Sequence, residues 1–355
     1  MTASQADNSG TVPVREELRF DEAALDAWMK AHVEDHAGPI KVEQFKGGQS
    51  NPTYKVSSPR GAYVLRRKPP GLLLKGAHAV DREHRVLAAL GSVGFPVPRV
   101  YDLCEDDAVI GTAFYLMDMV QGRIFWDATF PDVGPEDRPA YFDAMNETAA
   151  RLHQIDYAAI GLGDYGKPGN YFQRQISRWG QQYLEDTDAG RDPNMDKVLE
   201  WLPAHIPPGD EASIVHGDYR VDNMIFHPTE PRVIAVLDWE LSTIGHPLAD
   251  FAYGAMMYHM PPDIVAGLAG ADLKALNIPS EEEYVAAYCR RTGRDGMPDY
   301  PFYLAFNFFR FAAIFHGIKG RVIRGTASSA NAQERAGKFP VTAEIAWKLA
   351  QQADR

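Results

Sequence analysis

The sequence predicts an α+β fold with two lobes, a small lobe built on an antiparallel β-sheet and a larger lobe that is mainly helical. Segments with strand-like alternation crowd the region before residue 120, and helical periodicity dominates after it. A compact stretch with strand signals, residues 213–240, interrupts the helical part. We therefore expect a mobile N-terminus with a leading helix over 1–40, a β-rich lobe over 41–119 and a helical lobe over 120–355.

The small lobe should begin with a helix and continue with strands that are separated by turns. Asp21 can cap a helix over 21–33, whose apolar residues recur at helical spacing. A second helix is predicted over 81–90, because glycines follow it closely. Turn-forming sequences, GGQSNP and SPRG, separate the first strands. The predicted strands are 42–46, 53–57, 62–67, 99–103, 108–110 and 113–119.

The larger lobe carries clear helix signals. Pro139 lies where a helix can begin, and Ser280 with Glu283 has the pattern of a capping box. An aromatic-rich helix is predicted over 303–318. The strands predicted inside this lobe are 213–215, 224–226 and 233–237.

Composition narrows the range of partners. The formal net charge of −12 argues against broad nucleic-acid binding and against an anionic membrane surface as a partner. Cys104 and Cys289 form no CxxC pair, so we expect reduced thiols. The first residues lack the apolar core of a signal peptide, and no stretch approaches the ~18 apolar residues of a transmembrane helix. These features predict a cytoplasmic protein.

The strongest chemical signal is a polar loop followed by a strand that ends in an acidic residue. Residues 216–223 read HGDYRVDN, and Asp238 of an LDWE sequence follows Asn223 by fifteen residues. This order and spacing are those of a kinase catalytic loop with its metal-binding aspartate. The carboxylate of Asp218 could orient an acceptor hydroxyl and accept its proton. Asn223 and Asp238 offer the oxygen atoms that Mg²⁺ prefers.

Simpler interpretations exist for the same residues. Gly-Asp and Asp-Asn pairs are common in turns, so the loop taken alone could be a surface turn. His216 is better explained as a residue that organises the loop than as a catalyst. His153, which lies on a predicted helix, is interpreted as a core histidine.

The combination of HGDYRVDN with LDWE resembles the aminoglycoside phosphotransferase and choline kinase superfamily. Three longer sequences are similar to a narrower group of kinase-like domains, which stand alone in bacteria or are fused to acyl-CoA dehydrogenase-type domains. These sequences are YVLRRKPPG, AHAVDREHRVL and LDWELSTIGHPLADFAYG. The resemblance covers about residues 40–325. It implies a protein-kinase-like fold that uses ATP and Mg²⁺, with the nucleotide bound by the lobe over 41–119.

The glycine-rich sequence FKGGQSNPTY is similar to the strand-turn-strand that covers the phosphates of ATP in this superfamily. Gly48 would let the backbone approach, and Ser50, Asn51 and Thr53 offer hydrogen-bond donors. An ordinary hairpin turn explains the same letters.

A cation on the third strand should contact the phosphates. The family often has lysine there, whereas this chain has Arg66, and Lys68 shares the same face of an extended strand. The resemblance favours Arg66, and Glu83 matches the helix glutamate that pairs with this cation. A solvated helix charge is the alternative role for Glu83.

Two further assignments follow from the resemblance alone. The backbone carbonyl of Asp118 and the backbone amide of Val120 would meet the adenine edge. Asp250 matches the aspartate that braces the catalytic loop, and a helix N-cap is its alternative role.

The sequence therefore predicts an ATP-dependent phosphotransferase that moves the γ-phosphate to a hydroxyl of a small molecule. An aminoglycoside-type antibiotic kinase and a non-catalytic nucleotide-binding pseudokinase are alternatives, and transfer of AMP fits the same spacing. Only eleven residues separate Asp238 from Asp250, which is too few for the activation segment of a protein kinase.

The acceptor is predicted only by class. Cations and aromatic residues near the end of the chain indicate an anionic acceptor with an apolar body, and solvated cations beside an aromatic core are the alternative. The resemblance to domains linked to acyl-CoA dehydrogenases points to a hydroxyacyl-CoA or a related hydroxy acid. The residues concerned are Phe308, Phe309, Arg310, Phe311, Phe315, His316, Lys319, Arg321 and Arg324.

Overall fold

The computed structural model describes residues 10–46, 51–71, 79–327 and 331–353. Helices and antiparallel strands are both present, and the chain divides into two compact units. The first unit comprises Met1–Trp126, Ala158–Leu162 and Met224–Leu241. The second unit comprises Asp127–Tyr157, Gly163–Asn223 and Ser242–Arg355. The domain limits that we derived from the sequence, 1–40, 41–119 and 120–355, stay a prediction.

The first unit is built on a six-stranded sheet with the order β1-β2-β3-β4-β6-β5. All neighbouring strands in it are antiparallel. The central strand β4 lies between β3 and β6, so Arg66 is flanked by Thr53 on one side and Tyr115 on the other. The strands are β1 Thr11–Val12, β2 Lys41–Phe45, β3 Thr53–Ser58, β4 Gly61–Arg67, β5 Val100–Cys104 and β6 Phe114–Asp118.

Alternation along these strands decides which face of the sheet is buried. Tyr54 and Val56 of β3 and Leu65 of β4 are fully buried, as a period of two residues requires for one covered face. They share a hydrophobic core with Leu25 and Met29 of the helix Glu22–His32. Burial of these side chains is the main stabilising contribution to this unit.

The helix caps in this unit follow the local sequence. The Asp21 carboxylate accepts hydrogen bonds from the backbone amides of Ala23 and Ala24, so the predicted N-cap is confirmed. The second predicted helix is also present and spans Val80–Ser92. It carries the buried Glu83.

Two expectations for the first unit differ from the structure. Residues 108–110, predicted as a strand, lie in the one-turn helix Asp107–Ile110. The Asp106 carboxylate accepts a hydrogen bond from the amide of Ala108, and Gly111 ends the turn with a φ of 87°. Capping decides the conformation of so short a segment, and it outweighs the strand preference of a Val-Ile pair. In addition, β1 lies in the N-terminal region that was predicted to be mobile, yet it pairs with β2.

The strand segments between residues 213 and 245 are divided between the two units. In the first unit, β8 Met224–Phe226 pairs with β9 Val233–Val236. The amide of Val236 donates to the carbonyl of Pro96 at 2.8 Å and holds this pair to the rest of the unit. In the second unit, β7 Ser213–Val215 pairs with β10 Thr243–Gly245. The sequence predicted all of these strands except β10.

The second unit is mainly helical. Its Ser280–Glu283 capping box is present as predicted, and the aromatic-rich helix spans Tyr300–Ile323 and is longer than predicted. In the described ranges, no helix has the length and apolarity that crossing a bilayer requires. The helices of this unit are Arg138–Gln154, Tyr171–Glu185, Pro193–Ala204, Pro247–Ala255, Glu281–Thr292, Tyr300–Ile323, Ala332–Gly337 and Phe339–Ala353.

Candidate active site

The catalytic-loop sequence follows β7 directly, and a buried aspartate fixes its backbone. The two carboxylate oxygens of Asp250 accept hydrogen bonds from the amides of His216 and Gly217, both at 2.8 Å. Gly217 has a φ of 84°, which a residue with a side chain rarely adopts. The brace that the resemblance implied is therefore present in the second unit. The helix N-cap is His246 and not Asp250.

The charge of Asp250 is satisfied inside the protein. Its Oδ2 lies 3.1 Å from Nε2 of His153, whose Nδ1 lies 2.7 Å from the hydroxyl of Tyr288. Burial raises the pKa of Asp250, but His153 and the loop amides outweigh burial, so the pKa lies below its ordinary value. His153 is buried, as predicted, and it also links the brace to the helix Glu281–Thr292 through Tyr288.

His216 organises the loop, as the sequence indicated. Its Nδ1 accepts a hydrogen bond from the amide of Asp218 at 3.1 Å, and the residue is fully buried. This bond closes a turn around Gly217 and directs the next side chain, Asp218. Because His216 is buried and its Nδ1 accepts the amide of Asp218, its role here is to position the loop.

The carboxylate of Asp218 is held on both of its oxygen atoms. Tyr253 donates its hydroxyl to Oδ1 at 2.7 Å, and Nε of Arg220 lies 2.9 Å from the same oxygen. The side-chain amide of Asn223 donates to Oδ2 at 3.0 Å. Three neighbours thus restrict the rotation of a side chain that remains partly accessible, with an exposed fraction of 19%.

These contacts also determine the charge of Asp218. Burial raises the pKa of this carboxyl, but Arg220, the hydroxyl of Tyr253 and Asn223 outweigh burial. The pKa of Asp218 therefore lies below its ordinary value. The group is a carboxylate at neutral pH, which is the form that can accept a proton.

Asn223 has an orientation that its hydrogen bonds fix. Its side-chain nitrogen donates to the backbone carbonyl of Asp218 at 2.9 Å as well as to that residue's carboxylate. Because both partners are acceptors, the nitrogen and oxygen of the amide cannot be exchanged without losing both bonds. The amide oxygen accepts no hydrogen bond from the described residues and is available to a hard cation.

A second cluster of predicted site residues lies in the first unit. Nε of Arg66 is 2.9 Å from Glu83 Oε2, and a terminal nitrogen of Arg66 is 3.0 Å from Asp238 Oδ1. The same nitrogen lies 3.5 Å from Glu240 Oε2. Lys68 instead lies 3.7 Å from Asp81 and stays partly exposed. Of the two cations that the sequence offered, Arg66 is the one paired with the helix glutamate.

Asp238 has an unusual backbone conformation. Its φ is 64°, in the left-handed region that residues with side chains seldom occupy. It directly follows the apolar end of β9, and its side chain is 36% exposed. Strained backbone of this kind occurs often at functional sites. The strand, the strain and the exposure together present this carboxylate to solvent.

The buried pair of Arg66 and Glu83 gives a test of stability. Burial lowers the pKa of Arg66, but Glu83 and the nearby carboxylates outweigh it, so that pKa is raised. Burial raises the pKa of Glu83, and Arg66 offsets only part of this effect. Arg66→Met should leave the Glu83 carboxylate buried without its cation and lower the free energy of unfolding by about 3–5 kcal/mol. Urea unfolding measures this change.

The control for that variant neutralises the stranded acid. Adding Glu83→Gln to Arg66→Met should recover part of the lost free energy, because an amide is cheaper to bury than a carboxylate. Equal losses in the single and double variants would contradict the assignment of a buried ion pair.

His246 gives a second test, which depends on pH. It caps the helix that carries Asp250 and Tyr253, and its Nδ1 accepts from the amide of Leu248 at 3.3 Å. Burial lowers the pKa of His246 from 6.5 to about 4. Because the pKa in the folded state is the lower one, stability is complete above pH 6.5 and falls as the pH approaches 4.

We expect protonation of His246 to reduce the free energy of unfolding by about 3 kcal/mol across that pH window. His246→Asn keeps an oxygen that can cap the helix and removes the titration. Urea unfolding at a series of pH values should therefore show a shallower acid limb for the variant. Identical limbs in both proteins would contradict this role of His246.

The remaining predicted nucleotide residues lie in the first unit or outside the description. Gly48 and Ser50 fall outside the described residues. Asn51 is buried, and Thr53 begins β3 and donates its hydroxyl to the carbonyl of Asn51 at 3.0 Å. The Thr53 hydroxyl therefore serves the local backbone in this structure.

The predicted hinge residues follow the end of β6. Asp118 accepts a hydrogen bond from the hydroxyl of Tyr101 at 2.5 Å, and its amide donates to the carbonyl of Arg99. Val120 follows two residues later and is half-buried. Tyr101 fixes the side chain of Asp118, and contacts of the Asp118 carbonyl and the Val120 amide with adenine stay a prediction.

Sequence reasoning assigned no role to three residues that contact the predicted site. Arg220 lies two positions after Asp218 inside the HGDYRVDN loop, but the sequence alone does not indicate that it contacts the Asp218 carboxylate. Tyr253 lies three residues after Asp250, which places both on the same face of one helix. Glu240 closes the LDWE sequence. The i, i+3 spacing from Asp250 was the signal that could have identified Tyr253.

Of the cations proposed for an acceptor, Arg310 lies beside the loop's neighbour Tyr253, with its guanidinium 5.6 Å from the centre of that ring, whereas others contact different elements. Arg324 pairs with Asp186 and Asp188, and His316 lies 2.8 Å from the carbonyl of Gly190. Lys319 lies over the ring of Phe339. Phe308 and Phe309 are fully buried in the core. Within this set, Phe311 lines a pocket beside the loop.

Metal binding is predicted from the sequence at Asn223 and Asp238. Across the described ranges, no group of three histidine, cysteine, aspartate or glutamate side chains could hold a metal ion. Mg²⁺ in enzymes that use nucleotides is typically bound by one or two protein oxygens, with phosphates and water completing the shell. Asn223 in the second unit and Asp238 in the first unit each carry a side-chain oxygen of the type that Mg²⁺ prefers.

Known proteins resemble this chain along most of its length. The model of the APH phosphotransferase enzyme family matches residues 41–306. Acyl-CoA dehydrogenase family member 10 of Mus musculus is 43% identical over 343 residues, which are 96% of this chain and 32% of that protein. The chain spans less than half the length of the curated relatives that it matches.

Solved structures agree with the family match. A crystal structure from Ralstonia eutropha JMP134, described as that of an aminoglycoside phosphotransferase, has 53% identity and a TM-score of 0.87 and covers 94% of this chain and 99% of that one. A thermostable mutant of APH(4)-Ia in ternary complex with ADP and hygromycin B has 14% identity and a TM-score of 0.59, with coverage of 91% and 97%. The second likeness shows the fold alone. Together they confirm the α+β, protein-kinase-like fold.

Proposed function

The chain belongs to the phosphotransferase enzyme family, a family of small-molecule kinases, and we propose that it transfers the γ-phosphoryl group of ATP to a hydroxyl of a small acceptor. The single observation that carries this proposal is the fixed, charged carboxylate of Asp218. Asp250 and His216 fix the backbone of the loop through buried hydrogen bonds, which an ordinary surface turn does not need. A fixed loop is expected where a side chain must meet a substrate in one orientation.

Asp218 acts on the acceptor hydroxyl in this proposal. The acceptor oxygen forms a bond to the γ-phosphorus while the bond from that phosphorus to the β,γ-bridging oxygen breaks. ADP leaves, and the hydroxyl proton passes to Asp218 and from there to solvent. Because the pKa of Asp218 is lowered, this carboxylate is a weak base and mainly orients the acceptor hydroxyl. It accepts the proton late in the reaction, when the bond to phosphorus has made the acceptor hydroxyl more acidic.

Asn223 and Asp238 hold Mg²⁺ in this proposal. Their support is the free amide oxygen of Asn223 and the exposed carboxylate of Asp238 on strained backbone. When bound, Mg²⁺ neutralises phosphate charge that would otherwise repel the acceptor. Arg66 holds one oxygen of Asp238 at 3.0 Å, so the other oxygen is the one offered to the metal.

Arg66 also contacts the nucleotide phosphates in this proposal, because its pairing with Glu83 fixes the guanidinium on a central strand. An arginine can contact two phosphate oxygens at once. Gly48, Ser50, Asn51 and Thr53 cover the phosphates, and the backbone of Asp118 and Val120 meets the adenine. The bound ADP in the APH(4)-Ia complex supports ATP as the donor.

A hydroxyacyl-CoA or a hydroxy acid is the acceptor that we propose. The support is the similarity of almost the whole chain to one part of acyl-CoA dehydrogenase family members. Phosphate on the acceptor oxygen would make that oxygen a better leaving group for a later elimination. The alternatives are an aminoglycoside-type kinase, which the Ralstonia structure's description favours, and a pseudokinase that binds nucleotide without transfer.

The proposed function is tested by the mass of the products. Purified protein with Mg-ATP should add the mass of a phosphate to at least one hydroxyacyl-CoA or hydroxy acid in a panel that also contains hygromycin B. Phosphorylation of hygromycin B alone would favour the antibiotic kinase, and a gain of AMP would replace the reaction type. No transfer to any member of a broad alcohol panel would favour the pseudokinase.

A further inference from the structure

A pocket with mostly apolar walls lies beside the catalytic loop in the second unit. One wall is the loop itself, and a second is the helix Pro247–Ala255 with the turn that follows it. The chain from Met260 to Ala266 and one phenylalanine of the helix Tyr300–Ile323 complete it. The lining includes Arg220, Tyr253, Met256, Met257, Met260 and Ala266.

The polar end of this pocket is formed by two side chains that also hold the carboxylate of Asp218, the proposed base. Arg220 and Tyr253 line the pocket, and both contact Oδ1 of Asp218, at 2.9 and 2.7 Å. A molecule in the pocket therefore meets two side chains that contact that oxygen.

The charge of the lining selects against cations. No aspartate or glutamate is among the lining residues, and Arg220 is the charged one. The charge of Arg220 is engaged by Asp218 and by Asp222, whose Oδ2 lies 3.2 Å away. A polycation such as an aminoglycoside would bury its ammonium groups here against methionine, valine and alanine side chains, which is unfavourable. An uncharged hydrocarbon loses nothing by leaving water for this surface.

The size of the pocket selects a slim occupant. The cavity volume that the centre of a water molecule can occupy is about 30 Å³, and the pocket is partly open to solvent. A sugar ring does not fit such a space, whereas the end of a straight alkyl chain does. Met256, Met257 and Met260 can adjust their unbranched side chains to the length of that end.

The outer wall is a built feature of the fold. The amide of Leu268 donates to the carbonyl of Met257 at 2.7 Å, and the amide of Ala269 donates to that of Met260 at 3.1 Å. A Cβ on Gly267 would lie 1.9 Å from the carbonyl oxygen of Met260, so this close approach requires glycine. The segment that presents Val265 and Ala266 is thereby held against the turn.

From these observations we infer that the pocket binds an uncharged, unbranched hydrocarbon chain of the acceptor, next to the hydroxyl that receives the phosphoryl group. The inference rests on the proposed function and adds the substrate class: straight-chain alcohols with an apolar end, in preference to polar or cationic ones. The three methionines and Ala266 set the length and width of the chain that is accepted.

The experiment blocks the pocket and compares it with a matched change elsewhere. Ala266→Leu adds bulk to the pocket wall, and Ala275→Leu makes the same change at an exposed position of the same segment. For straight-chain hydroxyacyl-CoA acceptors, KM should rise at least about tenfold in Ala266→Leu and stay near the wild-type value in Ala275→Leu. Met257→Ala, which widens the pocket, should lower the KM of branched acceptors. Circular dichroism melting establishes that each variant is folded.

A binding measurement separates failure of this inference from failure of the proposed function. Saturation-transfer NMR with n-hexanol as the probe should detect binding to the wild type and to Ala275→Leu and lose it in Ala266→Leu. If that pattern appears while no acceptor is phosphorylated, the hydrocarbon site stands and the proposed reaction falls. If acceptors are phosphorylated while Ala266→Leu binds and reacts as Ala275→Leu does, the pocket inference is overturned and the kinase stands.

Discussion

Asp218→Asn is expected to lower kcat by at least about 100-fold while the affinity for ATP persists. The substituted amide has nearly the same shape as the carboxylate, so Tyr253 and Arg220 remain beside it. It cannot accept a proton, and its charge is gone, so the hydroxyl of the acceptor loses its orienting partner. Steady-state kinetics with saturating Mg-ATP, together with calorimetric titration of the nucleotide, measure the two quantities separately.

Two variants calibrate that result. Asp188→Asn makes the same chemical change at an exposed residue that pairs with Arg324, and kcat should stay within about twofold of the wild type. Tyr253→Phe removes one of the bonds that hold Oδ1 of Asp218 and should cost less than the loss of the carboxylate. A kcat for Asp218→Asn close to that of Asp188→Asn would contradict the assignment of Asp218 as the base.

Asp238→Ala is expected to damage nucleotide binding and turnover together. Its carboxylate is partly exposed, with an accessible fraction of 36%, and it stands on left-handed backbone directly after β9. Loss of a metal ligand removes charge neutralisation at the transferred phosphate, and turnover should fall by at least about 100-fold. The KM for Mg-ATP should rise in the same variant, whereas Asp218→Asn leaves it unchanged.

The metal dependence distinguishes this effect from simple misfolding. Raising the Mg²⁺ concentration should recover part of the activity of Asp238→Ala if a weakened metal site is the cause. Asp107→Ala, at an exposed residue of the same unit, is the matched control and should behave as the wild type. A variant that binds Mg-ATP normally and is merely slow would contradict the metal role of Asp238.

Features decided by neighbouring residues could be predicted from the sequence. The Asp21 cap, the Ser280–Glu283 capping box and the strands on both sides of Gly61 depend on contacts within a few residues, and the structure contains all of them. The one-turn helix Asp107–Ile110 is also decided locally, but its apolar residues predict a strand, whereas the caps at Asp106 and Gly111 favour the helix. Short segments carry too few residues for periodicity to decide between the two conformations.

Features that depend on distant residues could not be predicted in the same way. The motif spacing predicts roles for Asp218 and Asn223, but nothing near them in the sequence indicates that Tyr253 donates to the Asp218 carboxylate. The pocket beside the loop joins residues 220 and 311, which are brought together only by packing of helices. The cations at the end of the chain looked like a cluster, yet Arg324 and His316 contact other elements. These side chains leave the helix in different directions, and the sequence alone does not determine those directions.

In the function that we propose, Asn223 and Asp238 hold one metal–nucleotide complex, and Asp218 serves the acceptor. Electron paramagnetic resonance of Mn²⁺ with a non-hydrolysable ATP analogue tests this directly in the wild type and in three variants. We predict Mn²⁺ binding that requires the nucleotide, is lost in Asp238→Ala, is weakened in Asn223→Ala and is retained in Asp218→Asn. Unchanged binding in both Asp238→Ala and Asn223→Ala, or its loss in Asp218→Asn, would contradict the account.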